Sequence, residues 1–197
     1  MQPLWLLDSI GSRLIRDEQQ AFSDLSISSF GNYFLQLGIW GHSNTFTDNT
    51  PIKNRFLITA HSFGEIALVA DLDRLPLQDQ TIDVVFLLHT LAQCDNHFEI
   101  LSSCVNTINE SGSLIALGFN PASLWGARHL FSGKNFLPGI QRLISPNQYT
   151  HWLVHLGFRV EKIHYFHAII PLRKRHELPL TYKILNPFLC ACYMIAV

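Results

Sequence analysis

The feature that most constrains the fold is a continuous apolar run, IDVVFLLHTL, at residues 82–91. A strand with one face in water alternates apolar and polar side chains, whereas a strand covered by helices on both faces is apolar at successive positions. The run therefore predicts a central strand of a parallel sheet. Because parallel strands need crossover connections, we expect an α/β fold.

The segment after this run completes a βαβ unit. Apolar residues recur at helical spacing across residues 97–108, and Glu-Ser-Gly at 110–112 is a helix stop signal. A second apolar run, SLIALGF, follows at 113–119. Strand, helix and strand in this order predict a right-handed crossover.

The N-terminal part predicts a less regular structure. Residues 17–30 have a loosely helical apolar rhythm, and 33–40 (YFLQLGIW) have the composition of a strand. Residues 41–54 are too polar and turn-rich for a helix. Strand-like runs at 55–60 and 65–71 are separated by only four residues. We therefore predict a β-hairpin there.

The C-terminal part predicts one helix and a strand pair. Ser145 followed by Pro146 is an N-cap with proline at the first helical position, and Gly157 marks the end of the helix. The runs at 159–170 and 188–197 are expected to pair as the last strands of the sheet.

Composition limits the classes of function. With 197 residues, 48% of them hydrophobic, one domain spanning 1–197 is expected. A net charge of −1 and 15% charged residues predict no nucleic-acid partner, and the basic run at 173–175 is interpreted as a solvated loop. The longest apolar stretch, 188–197, is too short to span a membrane. The spacing of four cysteines matches neither a disulfide framework nor a zinc site, which favours a cytoplasmic location.

The central segment resembles a known family. An acidic residue ends the third strand, a Leu-Pro-aliphatic step and a polar turn follow, and an Ile-Asp-Val-Val strand comes next. In chain order, the residues that match this pattern are Asp71, Leu75, Pro76, Leu77, Ile82, Asp83, Val84 and Val85. This pattern is similar to the type 11 group of class I S-adenosylmethionine-dependent methyltransferases. The resemblance implies a Rossmann-like, mostly parallel sheet of six to seven strands flanked by helices. The N-terminal half is degenerate, and an antiparallel strand pair closes the sheet.

The resemblance also implies a cofactor site for S-adenosylmethionine. The Asp71 carboxylate would accept a hydrogen bond from the adenine amino group, and the Leu72 amide would face a ring nitrogen; the alternative for Asp71 is a turn or helix cap. His61 stands where the family has a ribose-binding carboxylate.

The first strand departs from the family pattern. Gln36 takes the place of the acid, Gly38 keeps the first glycine and Trp40 replaces the second. Fewer charged hydrogen bonds to the cofactor are therefore expected, at about 1–3 kcal/mol each.

Two residues are candidates for catalysis. His89, at the end of the central strand, can be a base or can orient the acceptor, and it can also be a buried histidine bonded to a loop carbonyl. Asn120 can bind substrate or can hydrogen-bond the backbone of its own turn.

The aromatic-rich segment 119–145 can be a substrate lid or can pack on the sheet. Residues 1–31 are interpreted as an N-terminal helical segment. No metal site is predicted.

Two functions follow from these observations. The first is a methyltransferase acting on a small-molecule acceptor. The second is a catalytically inactive methyltransferase-like domain that serves as a binding or scaffold module. The acceptor and the oligomeric state are left open. A third reading, a hydrolase, lacks its G-x-S-x-G motif.

Overall fold

The structure of the chain is a computed structural model that describes residues 9–26, 31–42, 44–61, 68–132, 136–137, 139–167 and 186–197. Within these ranges the chain forms seven strands and five α-helices. In chain order they are α1 (Ser9–Ser26), β1 (Tyr33–Leu37), β2 (Asn54–Thr59), β3 (Leu68–Val69), β4 (Ile82–Leu88), α2 (His97–Thr107), β5 (Ile108–Phe119), α3 (Leu124–Phe131), α4 (Pro146–His155), β6 (Lys162–Phe166), α5 (Asn186–Leu189) and β7 (Cys192–Ala196).

The strands form one sheet in the order β3-β2-β1-β4-β5-β7-β6. The first five strands of the chain pair in parallel, and β7 runs antiparallel to both β5 and β6. The strand order reverses between β1 and β4, so a ligand crevice is expected beyond the carboxyl ends of these two strands. The predicted α/β sheet with an antiparallel C-terminal pair is confirmed.

The central strand β4 is covered on both faces, as the apolar run predicted. Val84 and Phe86 lie in one core, which α1 and α3 cover, and Val85 and Leu87 lie in the other, which α2 and α4 cover. None of these four side chains is more than 1% exposed. The hydrophobic content of the chain is thus divided between two layers on a single sheet.

Helix α1 extends further toward the N-terminus than the sequence pattern predicted. It spans Ser9–Ser26, whereas a helix at 17–30 was expected, and residues 27–30 lie outside the described ranges. The buried side chains Leu14, Ala21 and Phe22 form one stripe that packs on the sheet. Tertiary burial of this stripe, rather than the local rhythm after residue 17, sets where the helix begins.

The predicted β-hairpin between β2 and β3 is wrong. These strands pair in parallel, with Ile58 opposite Leu68 and Thr59 opposite Val69. Since β3 has two residues and meets only the carboxyl end of β2, the chain has to return by about 7 Å between them. Residues 62–67 of this connection lie outside the described ranges.

The predicted crossover helix and the helix after Ser145 are confirmed, whereas β1 ends at Leu37 instead of residue 40 and β5 begins at Ile108 instead of residue 113. The crossover helix α2 joins β4 to β5. Helix α4 begins with Pro146, and the Ser145 hydroxyl accepts a hydrogen bond from the Gln148 amide at 3.2 Å. The β1–β2 connection, where a loop was predicted, contains only a short 3₁₀ turn, Thr47–Asn49, among its described residues.

Several features of the sequence interpretation fall partly or wholly outside the described ranges. They include the basic run at 173–175, residues 1–8 and 27–30 of the N-terminal segment 1–31, residues 65–67 of the predicted third strand, and residues 168–170 of the predicted strand at 159–170. Across the part of the chain that the structure describes, the helices lack the combination of length and apolarity that a membrane span requires.

Candidate functional site

The candidate site lies at the carboxyl edge of the parallel strands. Each strand is an apolar run that ends in the core, and the polar or turn-forming residue that follows it is placed at this edge. The residues that come after β1 to β5 in this way are Gly38, His61, Asp71, His89 and Asn120. All five were predicted as site residues, and the topology brings them to one side of the sheet.

A cleft of about 250 Å³ opens beyond the tips of β2, β3 and β4. We call it the Asp71 cleft; its lining is Ala60, Asp71, Leu72, Asp73, Cys94, Asp95, Asn96 and Ile100. Asp71 is exposed, while Leu72 and Ile100 are buried in the α2-side core. The cleft therefore combines an apolar floor with carboxylate and amide groups at its rim.

The Cys94 thiol forms part of the wall of the cleft. Burial and the neighbouring Asp95 carboxylate raise the pKa of Cys94 above its usual value. The thiol is therefore mainly protonated at neutral pH, so it forms an uncharged part of the cleft wall and reacts more slowly than an ordinary thiol.

A larger cavity of about 460 Å³ lies between the loop at 73–79 and α2. It is the larger of the two, but its lining lacks Ala60, Asp71 and Leu72, the residues that follow β2 and β3. Ligands of open α/β sheets bind at the strand ends. We therefore assign the candidate site to the Asp71 cleft, although the two cavities share Asp73.

The end of β1 retains the backbone shape of a ligand-approaching turn. Gly38 has a φ of +85°, and a Cβ at this position would lie 2.9 Å from the Thr90 hydroxyl. The Gln36 side chain is fully buried; its amide nitrogen donates to the Gly38 carbonyl at 3.0 Å. Its oxygen Oε1 has no hydrogen-bond partner among the described residues. The turn thus offers a buried acceptor beside a glycine that no other residue could replace without strain.

Trp40 turns into the core beneath α1. The indole is 2% exposed, and its ring centroid lies 4.7 Å from that of His89 and 5.7 Å from that of Phe119. It belongs to the same cluster as Phe22 of α1, and it is not part of the described lining of the Asp71 cleft. The tryptophan side chain therefore does not fill the Asp71 cleft.

His89 is buried directly after β4, with an unusual backbone conformation. Its φ is +53°, which is uncommon for a residue other than glycine. The Nε2 atom lies 2.9 Å from Oε1 of Glu18, and both side chains are fully buried. The imidazole stacks on Phe119 at 4.3 Å. His89 is therefore paired with a carboxylate from α1 and not with a loop carbonyl.

A second histidine–carboxylate pair lies at the same edge of the sheet. The Nδ1 atom of His167, which follows β6, lies 2.7 Å from Oδ2 of Asp17. His167 also has a positive φ, +61°, and is 4% exposed. Asp17 and Glu18 are adjacent in α1, so one helix supplies both carboxylates.

Asn120 holds the turn between β5 and α3. Its Nδ2 donates to the Cys190 carbonyl at 3.0 Å, and its Oδ1 accepts from the Ala122 amide at 3.1 Å. The Ser123 hydroxyl donates to the Asn120 carbonyl. These contacts match the turn role that the sequence left open for this residue.

The segment 119–145, a lid candidate, is partly packed on the sheet. In α3, Trp125 is 1% exposed, and its ring lies 5.3 Å from that of Phe136 and 5.1 Å from that of His167. The end of the helix is open to solvent, with Phe131 91% exposed. Residues 133–135 and 138 lie outside the described ranges.

The site residues separate into two groups. Asp71 and Leu72 line the cleft, and His61 follows Ala60 at its edge without lining it. Trp40 and His89 lie together under α1.

Sequence reasoning missed Glu18, Asp17 and His167 as partners, because these pairs join residues 71 and 150 positions apart. A single sequence carries no signal for such contacts.

Comparison with known proteins agrees with this architecture. Residues 49–116 match a family model described as a methyltransferase domain. Uncharacterized protein YafS of Escherichia coli (strain K12) is 31% identical over 105 residues. That match covers 53% of this chain and 44% of the relative, so the shared segment spans less than half of the relative's length.

Solved structures extend the similarity to nearly the whole chain. A S-adenosylmethionine-dependent methyltransferase of Archaeoglobus fulgidus aligns with a TM-score of 0.66 and 18% identity, over 93% of this chain and 95% of that one. A possible histamine N-methyltransferase of Thermotoga maritima aligns with a TM-score of 0.70 and 16% identity, over 98% and 91%. The methyltransferase CalH, in complex with S-adenosylhomocysteine, aligns with a TM-score of 0.59 and 12% identity, over 90% and 54%.

These findings confirm the predicted resemblance to class I S-adenosylmethionine-dependent methyltransferases. The family model covers the β2–β5 segment, and the fold similarity covers the rest of the sheet. The predicted cofactor, S-adenosylmethionine, agrees with both findings.

Proposed function

We propose that this chain, which carries a methyltransferase domain on a class I fold, transfers a methyl group from S-adenosylmethionine to a small-molecule acceptor. The observation that supports the proposal is the Asp71 cleft, which opens at the carboxyl edge of the parallel strands, the edge at which open α/β sheets bind ligands. The cleft is below the volume of about 300–1,000 Å³ that is usual for a complete ligand. It therefore suits the adenosyl part of the cofactor rather than the whole molecule.

The rim of the cleft has the groups that adenosine requires. The Asp71 carboxylate can accept from the adenine amino group, and the Leu72 amide can donate to a ring nitrogen. Leu72 and Ile100 supply apolar contacts for the base. His61, at the end of β2, is exposed and can bond a ribose hydroxyl.

The end of β1 suits the methionine part. Gln36 Oε1 is a buried acceptor without a partner among the described residues, and an ammonium group is a matching donor. Gly38 has a positive φ that favours glycine, and because it has no side chain, a ligand can approach the backbone closely there. Trp40 and His89 would form the wall between this end and α1.

The cofactor supplies an electrophilic methyl group, so the protein mainly has to position the acceptor and remove its proton. In this proposal His89 would take the proton, and Asn120 holds the β5–α3 turn over which the acceptor would lie. We propose a cytoplasmic location, because no disulfide joins the four cysteines in the part of the chain that the structure describes.

Calorimetric titration with S-adenosylhomocysteine tests the proposal. Saturable binding is expected. Asp71→Ala should weaken it by about 10- to 150-fold, because a hydrogen bond to a charged group contributes about 1.5–3 kcal/mol. Asp79→Ala is the matched control, since this exposed aspartate follows in the next loop but does not line the cleft.

Two outcomes would contradict the proposal. One is the absence of binding heat at millimolar ligand, which is expected of an inactive binding or scaffold module. The other is equal affinity in the wild type and Asp71→Ala, which would place the nucleoside elsewhere.

A further inference from the structure

Helix α3 has apolar side chains on both of its faces. The buried face, which includes Trp125, packs on the sheet. On the opposite face, Leu124, Leu130 and Phe131 expose 46%, 69% and 91% of their surface. Arg128 is also exposed, and the helix contains no other Arg, Lys, Asp or Glu. We call these four exposed side chains the α3 face. Because a surface helix usually turns polar residues to the solvent, an apolar outer face indicates a partner.

The apolar surface continues from the α3 face onto α5. Phe188 of this short helix is 63% exposed. Directly after α5, the carbonyls of Cys190 and Ala191 accept hydrogen bonds from the side chain and the backbone amide of Asn120, at 3.0 and 2.8 Å. Asn120 begins the turn that leads into α3. The end of α5 is therefore held at the turn that precedes α3, at the carboxyl edge of the sheet.

The exposed side chains of the α3 face project from the surface and do not line a cavity. Neither the Asp71 cleft nor the cavity beside α2 includes them in its lining. A phenylalanine that is 91% exposed, as Phe131 is, has few neighbouring atoms. A small ligand cannot surround such a side chain, whereas a partner with an apolar layer can receive it. The shape of the α3 face therefore suits insertion into a partner.

The charge near the α3 face is positive. The segment 111–160, which contains α3 and α4, has four basic residues and no acidic residue, although the net charge of the whole chain is −1. Arg142 is exposed like Arg128, and its backbone amide donates to the turn after β4, at the same edge of the sheet. The aspartates that line the Asp71 cleft belong to the β2–β4 side, and Asp17 is paired with His167. The α3 face is therefore complementary to an anionic partner.

We propose that the α3 face docks on a membrane surface that contains anionic lipids. Leu130 and Phe131 enter the boundary between headgroups and acyl chains, as the apolar residues of interfacial helices do. Arg128 contacts lipid phosphates, and the negative potential of a cytoplasmic leaflet attracts the basic segment. This inference goes beyond the proposed methyl transfer and does not depend on it, since it concerns only the outer surface of α3 and α5.

A second copy of the chain fits the α3 face less well than a lipid surface does. A two-fold contact sets the same surface against itself. Arg128 would then lie close to its symmetry mate, and α3 offers no carboxylate to pair with either of them. Like charges in an interface weaken association. A lipid surface supplies both an apolar layer and negative charge.

Co-sedimentation of the full chain with vesicles gives the first test. The chain should bind vesicles of phosphatidylglycerol and phosphatidylcholine in equal parts, and should bind pure phosphatidylcholine more weakly. Phe131→Ser should weaken binding by about tenfold or more, because it withdraws a large apolar side chain from the lipid. Arg128→Gln should weaken binding to the anionic vesicles by about fivefold. Val154→Ser is the matched control, since Val154 is 56% exposed on α4, which covers the other side of the sheet.

Tryptophan fluorescence gives the second test, which reports where the chain enters the lipid. Phe131→Trp and Val154→Trp add one tryptophan each to the same background. Phosphatidylglycerol brominated on its acyl chains should quench the emission of Phe131→Trp more strongly than that of Val154→Trp. Because both positions are exposed, these variants should keep the urea midpoint of the wild type.

The outcomes separate this inference from its alternatives and from the proposed function. Absence of binding to the anionic vesicles, or equal binding by the wild type and Phe131→Ser, overturns the inference. Equal quenching in the two tryptophan variants overturns it as well. A dimer that forms without vesicles and is lost in Phe131→Ser assigns the face to a second copy and also overturns it. Titration of Phe131→Ser with S-adenosylhomocysteine should match the wild type, and failure of both to bind overturns the proposed function alone.

Discussion

The Asp83 carboxylate ties together three neighbouring strands at the amino end of the sheet. Its Oδ2 accepts from the Asn32 and Tyr33 amides at 2.7 and 2.9 Å, and its Oδ1 accepts from Asn109 Nδ2 at 2.6 Å. Burial raises the pKa of Asp83, but the three hydrogen bonds together lower it by more than burial raises it. The pKa of Asp83 is therefore below its usual value. We predict that Asp83→Ala destabilises the fold.

The magnitude follows from the bonds that are lost. A hydrogen bond to a charged group contributes about 1.5–3 kcal/mol, and three bonds to one partly exposed carboxylate do not add fully. We expect a loss of about 2–4 kcal/mol, which lowers the melting temperature of a chain of this size by about 4–16 °C. Asp83→Asn keeps one acceptor oxygen and should lose about half as much.

Urea unfolding at pH 7 measures the effect. Since the folded pKa of Asp83 is depressed, its stabilisation is complete above the unfolded value of about 3.9 and is lost as the pH falls through the folded value. Asp79→Ala, an exposed control, should change stability by less than about 0.5 kcal/mol. A change that small in Asp83→Ala would refute the reasoning.

Three further predictions concern other parts of the fold. Gly118→Ala should destabilise by about 1–3 kcal/mol, because the new Cβ would lie 2.6 Å from the buried Tyr193 ring; an unchanged urea midpoint would contradict this. Burial chiefly lowers the pKa of His97, so the unfolded chain binds the extra proton and stability should fall below about pH 6.5. His97→Phe, which can still stack on Trp152, should flatten that pH dependence, and an identical slope would argue against it. S-adenosylhomocysteine should slow alkylation of Cys94 by iodoacetamide without affecting the three buried cysteines, and equal rates would place the ligand outside the cleft.

Features with a local signal were predictable. The continuous apolar run marked β4 as doubly covered, the Ser145–Pro146 pair marked the start of α4, and the final two strands paired as expected. The prediction of a hairpin was wrong, because the number of residues between two strands limits the distance that the connection can span but does not determine whether the strands are parallel or antiparallel. In the same way, the beginning of α1 depended on burial of Leu14, which lies before the expected helix.

The candidate site shows the same division. His89 and Asn120 each follow an apolar run that was predicted as a parallel strand, so their arrival at one edge of the sheet is a consequence of chain order and strand polarity. Asp71 reaches the same edge because β3 is parallel to β2, whereas the predicted hairpin would have placed it at the opposite edge. The partners of His89 and His167 do not follow from the sequence. Glu18 lies 71 residues from His89 and Asp17 lies 150 residues from His167, and these contacts exist because α1 packs across the tips of several strands at once. The periodicity of apolar residues in the sequence indicates which face of a helix or strand is buried. How α1 packs on the sheet depends on the whole core, and this packing brings Glu18 to His89 and Asp17 to His167.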